Sequence, residues 1–116
     1  MTKAMFRELK DAGALEMRVI GHTGFAEMGR DPVCAGASVL AMTAAQCIEA
    51  MGNKLQKAPN ITIRGGNIHV IAKPMPEHYS EAKHIFYVAE TGFQLLSQAY
   101  PQNVELTSFI FPIGDE

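Results

Sequence analysis

The sequence predicts an α+β fold: one domain, residues 1–116, with antiparallel hairpins packed with two long helices. Three observations predict it. Two pairs of short apolar segments are each joined by a turn signal, and tight turns link antiparallel strands. Two long stretches carry apolar residues at helical spacing. The strands come in pairs, not singly between helices as a doubly wound parallel sheet requires. The expected order is β-β-α-β-β-α-β.

Residues 4–10 form the first expected strand, with Met5 and Leu9 on one face. Asp11-Ala12-Gly13 is a turn, and residues 14–20 alternate: Leu15, Met17 and Val19 against Glu16 and Arg18. Residues 21–30 hold three glycines, which favours a mobile loop. Asp31-Pro32 then announces a helix, since Asp caps well and Pro has no N–H to leave unsatisfied in the first turn. Val33, Ala37, Leu40, Ala44, Ile48 and Met51 follow at helical spacing, and Gly52-Asn53 is the expected stop. The many small residues of this helix let another backbone come close. Residues 61–64 and 68–73 are short strands joined through Gly65-Gly66-Asn67. A second helix is expected over residues 77–99, a final strand over 104–111, and a frayed tail at Gly114-Asp115-Glu116. Phe86, Tyr87, Phe93 and Tyr100 are spaced like a core or dimer face.

The net charge of −2, with no basic stripe, excludes tight sequence-independent binding to nucleic acid. Unbroken apolar runs are far shorter than the roughly 18 residues a membrane span needs. Charges in the first eight residues break the apolar stretch of a signal peptide. The expected location is therefore the cytoplasm, where a disulfide is improbable. Cys34 and Cys47 also lie thirteen residues apart on one helix. That is roughly 20 Å, whereas bridged Cα atoms sit within roughly 7 Å.

Cys34 falls at the third position of the first expected helix, beside free N–H groups and the positive helix end. Both favour a thiolate, and the same N–H groups are candidates for an oxyanion hole. His22 closes the second strand, and a short loop can return it to Cys34 at little entropic cost. A Cys/His pair is the minimal nucleophile and base. Packing is the competing role for Cys34, as a small buried hydrophobe. Two non-catalytic readings follow: a ribosome-associated or assembly module with a packed thiol, and a redox sensor with a reactive one. Cys47 reads as structural. His69 faces away from Ile68 and Val70, and His78 and His84 are not spaced to share a helical face. With no closely spaced cysteines, zinc is a weak reading. Gly65-Gly66 lacks the Lys and Ser/Thr of a phosphate loop and reads as a turn.

Gly21-His22, followed by Gly29-Arg30-Asp31-Pro32-Val33-Cys34-Ala35-Gly36-Ala37-Ser38, resembles the bacterial ribosomal-processing cysteine protease family Prp. The resemblance implies a cysteine endopeptidase with a His22–Cys34 catalytic dyad and no cofactor. It implies supporting roles for Asp31, Ser38, Gly21 and Gly29. Asp31 would cap the helix or orient His22, and Ser38 would lie one turn from the thiol. A loop carrying Thr23, Gly24, Phe25 and Met28 would cover the substrate. The implied substrate is the N-terminal leader of a large-subunit ribosomal protein, or a similar leader on a phage capsid or scaffold protein. The implied assembly is a homodimer. Thr23 stands where the family usually has Ala, and Pro32 where it usually has Ile or Leu; both leave the dyad in place.

Overall fold

The structure, a computed structural model, describes residues 1–111. Its strands are β1 (Thr2–Leu9), β2 (Ala14–Ile20), β3 (Asn60–Arg64), β4 (Asn67–Ala72) and β5 (Val104–Ser108). Helix α1 (Pro32–Glu49) lies between β2 and β3, and α2 (Tyr79–Ala99) between β4 and β5. The α+β class and the element order are those the sequence predicts. The five strands form one sheet in the order β3-β4-β2-β1-β5.

The two hairpins and the β2–β4 pair are antiparallel, but β5 joins β1 in parallel. Turn signals reveal only neighbours in sequence, so this long-range edge pairing was not legible beforehand. The tip of the second hairpin is tighter than expected, with Gly65-Gly66 alone forming the turn and Asn67 already paired in β4.

Alternation sets the core. Ala4 and Phe6 of β1, Leu15, Met17 and Val19 of β2, and Ile68, Val70 and Ala72 of β4 are buried on one face. The core side of β1 is thus the Ala4/Phe6 side, the reverse of the Met5/Leu9 side that the sequence suggests. Phe6 meets Phe86 and Phe93 of α2 at ring-centroid distances of 6.1 Å. Ala37 of α1 shares a cavity wall with Val19 and Ile68, so both helices cover this same face. On the opposite face Glu16 is buried beneath Arg7 and His69, which both hydrogen-bond its carboxylate. Burial alone would raise the Glu16 pKa, but these two partners bring it below its ordinary value.

Helix α1 begins where expected, with Asp31 as its N-cap. It ends at Glu49, two residues before the expected last turn, and a 3-10 turn over Gly52–Lys54 follows. By length and composition α1 could cross a membrane: 18 residues with a hydropathy of 1.2. Counting unbroken apolar runs misses this, because small and polar residues interrupt them. In the fold its Val33, Ala37, Ala41, Ala44, Ala45 and Ile48 are buried inside the protein. Close packing of α1 on α2 is visible at Gly92, where a Cβ would lie 2.5 Å from Leu40 Cδ2.

Helix α2 starts at Tyr79, after a 3-10 turn over Pro76–His78 that the helical pattern had absorbed. Strand β5 stops at Ser108, short of the expected 111. The reason is Glu90 of α2, whose carboxylate accepts the N–H groups of Ile110 and Phe111 and takes them out of the ladder. The expected frayed tail, Gly114-Asp115-Glu116, lies outside the described residues.

Candidate active site

The base candidate is held at the end of β2. Gly21 has φ +91°, a left-handed conformation that glycine adopts at no steric cost. A Cβ there would also run into the Met1 carbonyl oxygen. The Gly21 N–H donates to the Gly66 carbonyl at 2.9 Å, and the Thr2 hydroxyl donates to the Gly21 carbonyl at 3.3 Å. His22 follows, exposed, with its ring against the tip of the β3–β4 hairpin.

The thiol candidate is held by the start of α1. Cys34 is partly exposed, neither packed away nor fully open. The Asp31 side chain accepts its backbone N–H at 3.0 Å. The other carboxylate oxygen of Asp31 accepts from the Thr23 hydroxyl and from the N–H groups of Phe25, at 3.0 Å, and Ala26, at 3.2 Å. Asn103 adds a bond from its side-chain amide to the Thr23 carbonyl, 2.9 Å. Phe25 packs edge-on against Tyr100 at 5.2 Å. The first half of the loop is thus tied to α1 and to the turn before β5, where three glycines suggested mobility. Only toward Met28, 81% exposed, does the loop stand free of such contacts.

Two adjoining cavities, about 400 and 410 Å³, open at this place, and His22, Cys34, Ser38 and Met28 line both. The first lies between α1 and the β3–β4 hairpin, with Met42, Ile63 and Arg64 in its walls. The second lies between the loop and the helix start, lined also by Gly24, Gly29 and Asp31. The structure therefore brings together His22, Cys34, Ser38, Gly21, Gly24, Met28, Gly29 and Asp31. Thr23 and Phe25 line neither cavity. Thr23 is 1% exposed, with its hydroxyl committed to Asp31, so it braces the loop from inside.

The electrostatics differ from what the helix start suggests. Burial pushes the Asp31 carboxyl up, but bonds from Thr23, Cys34, Ala26 and Phe25 outweigh it and hold the pKa down to about 2. Asp31 is therefore a fixed negative charge at neutral pH, set against the positive end of the helix. Two of the first-turn N–H groups expected to serve an oxyanion also go to Asp31. The Cys34 N–H goes to its side chain, the Ala35 N–H goes to its carbonyl at 3.0 Å, and Pro32 has none. Capping and oxyanion binding compete for the Cys34 N–H, and here the cap holds it.

A sequence model of the cysteine protease Prp family matches residues 1–105. The chain belongs to that family. Prp proteins are cysteine proteases, and so is this chain. Its fold is that of the S. aureus ribosomal processing protease Prp, solved with a covalently linked product peptide. The two share 23% identity and superpose with a TM-score of 0.74, over 94% of this chain and 100% of the other. The same protease solved with a substrate peptide gives a TM-score of 0.69 at 21% identity, again over 94% and 100%. SMU.848 from Streptococcus mutans gives 0.64 at 24% identity, over 94% of this chain and 96% of that one. No curated protein matches the chain.

Three parts of this Prp site were missed in the sequence: Gly66, Thr2 and Asn103. All touch the His22 or Thr23 segments from far along the chain. The one available cue was the Gly65-Gly66 pair, which reads as a turn whatever else it does. Cys47, read as structural, is exposed and lies beside Val39, Val88 and Ile85 in a groove between the helices.

Proposed function

We propose that this Prp-family protease removes the N-terminal extension of a large-subunit ribosomal protein, with Cys34 as nucleophile and His22 as general base. The observation that carries the reading is the shared position of His22 and Cys34 on two cavities with apolar walls. Val19, Met42, Ile63 and Ile68 suit an apolar stretch of peptide. The likeness to a ribosomal processing protease solved with its peptides supports the substrate class.

In this mechanism His22 takes the Cys34 proton as sulfur attacks the scissile carbonyl carbon. The C–N bond breaks and His22 returns the proton to the leaving amine. Water, giving a proton to His22, then attacks the thioester carbon; the C–S bond breaks, the leader leaves with a new carboxyl group, and His22 returns the proton to sulfur. Deprotonation of Cys34 falls to His22, which shares both cavities with it. Asp31 acts as a brace for Cys34 and the loop, and Ser38 forms cavity wall one turn away. No metal or organic cofactor enters these steps.

The same reading places the protein in the cytoplasm, where a thiol stays reduced. It also makes it a homodimer. Val39, Val88 and Leu95 are exposed on the helices, each more than 60%, as an apolar surface for a second copy. Sedimentation equilibrium is expected to show a dimer for the wild type and a monomer for Val88→Lys.

The decisive experiment is mass-spectrometric cleavage of a ribosomal-protein leader peptide by the wild type and by Cys34→Ala. Cleavage at one bond by the wild type alone supports the reading. A wild type that alkylates rapidly but leaves this peptide intact removes the ribosomal substrate and turns the test to phage leaders. An inert thiol together with an intact peptide removes the Cys34 nucleophile.

A further inference from the structure

Residue 66 sits at the tip of the β3–β4 hairpin with φ +73°. A Cβ there would lie 3.0 Å from His22 Nε2, 3.4 Å from Cε1 and 3.6 Å from Cδ2. These three atoms make up one edge of the imidazole, so the ring edge stands beside the place where a side chain at 66 would begin. The Gly66 carbonyl also holds the Gly21 N–H, one residue before the histidine. The hairpin tip thereby holds the backbone leading into His22 and borders the ring itself. Its Ile63, Arg64 and Gly65 face Cys34 and Met42 of α1 across the first cavity. The base therefore rests on one wall of the cavity and the thiol on the other.

We infer that Gly66 is a positioning residue for His22: its bare Cα is the seat that sets the distance from the imidazole to Cys34. A Cβ at 66 pushes the ring from that seat by a few tenths of an ångström, because 3.0 Å is too close for an ordinary carbon contact. A displacement of about 1 Å at a reacting group costs roughly 100-fold in rate, so a shift of a few tenths of an ångström predicts a loss of roughly several-fold. The inference rests on the Cys34–His22 reading and deepens it.

The test compares Gly66→Ala with Gly13→Ala and Gly52→Ala. Gly13 and Gly52 have φ of +63° and +57°, and a Cβ at either meets nothing within 4 Å. They carry the same backbone strain without touching the site. Two readouts are taken per folded molecule: the pH profile of Cys34 alkylation by iodoacetamide, which needs no substrate, and leader-peptide cleavage. Gly66→Ala is expected to change the alkylation profile toward that of His22→Ala and to lower kcat/KM roughly several-fold. The two control variants are expected to lose similar thermal stability and keep the wild-type profile. Gly66→Asn, whose backbone tolerates a left-handed conformation while still carrying a Cβ, serves if Gly66→Ala does not fold. A Gly66 variant with the wild-type profile, while His22→Ala differs from it, overturns this inference alone. A His22→Ala protein with the wild-type profile removes the Cys–His reading and this inference with it.

Discussion

Asp31 shows how one side chain can serve the fold and the site at once. It caps α1, holds Thr23, Phe25 and Ala26, and so fixes the loop between the two candidate catalytic residues. Its pKa is lowered to about 2 from an ordinary 3.8, so it binds a proton less readily folded than unfolded. Its contribution to stability is therefore complete above about pH 4 and is lost as pH falls through about 2. Asp31→Asn removes that contribution. The melting temperature, followed by circular dichroism, should fall below the wild type at pH 6, with the gap closing toward pH 2. Cleavage at pH 7 should fall with it, because the loop loses its anchor.

At the scale of elements, the contact between the helices depends on one missing side chain. Gly92 on α2 leaves room for Leu40 of α1, whose terminal carbons would stand 2.5 and 2.8 Å from a Cβ. Alanine is the better helix former by about 1 kcal/mol, but overpacking costs about 1–3 kcal/mol. Gly92→Ala should therefore destabilise the wild type by about 1 kcal/mol. In a Leu40→Ala background the same change should stabilise by about 1 kcal/mol. Urea denaturation of the four proteins in this cycle measures the sign reversal. The small residues of α1 announced close packing, but not that the partner would be α2 or that the contact would fall at Gly92.

Across the whole molecule, Glu90 joins α2 to the chain beyond β5. Burial pushes its carboxyl above the ordinary value, against the pull of the Ile110 and Phe111 N–H groups. A raised carboxyl binds its proton more tightly folded than unfolded. Its ionisation therefore weakens the fold as pH rises through the raised value, and stability is greatest below the ordinary 4.5. Glu90→Gln removes the buried charge but keeps one acceptor oxygen, so only one of the two N–H groups stays paired. Its melting temperature relative to the wild type should therefore be more favourable at pH 8 than at pH 4.5, where the wild-type carboxyl is protonated. Thermal melts at pH 8, 6 and 4.5 check this.

Local pattern determined much of this protein. Alternation marked β2 and β4, Asp31-Pro32 marked the start of α1, and the turn glycines marked the hairpins. His22 and Cys34 stood out because a strand end and a capped helix start are each local signals, with only a short loop between them. These features follow from backbone geometry and short-range hydrogen bonding, which a sequence displays directly. Tertiary structure alone decided the parallel β1–β5 pairing, the core side of β1, the early end of β5 and the support of His22 by Gly66. It also decided that the Asp31 cap occupies the Cys34 N–H, a donor expected to serve an oxyanion. Each of these joins groups far apart in the chain or competing for one donor. Such outcomes are set by which surfaces pack together, and no local window of sequence contains that choice.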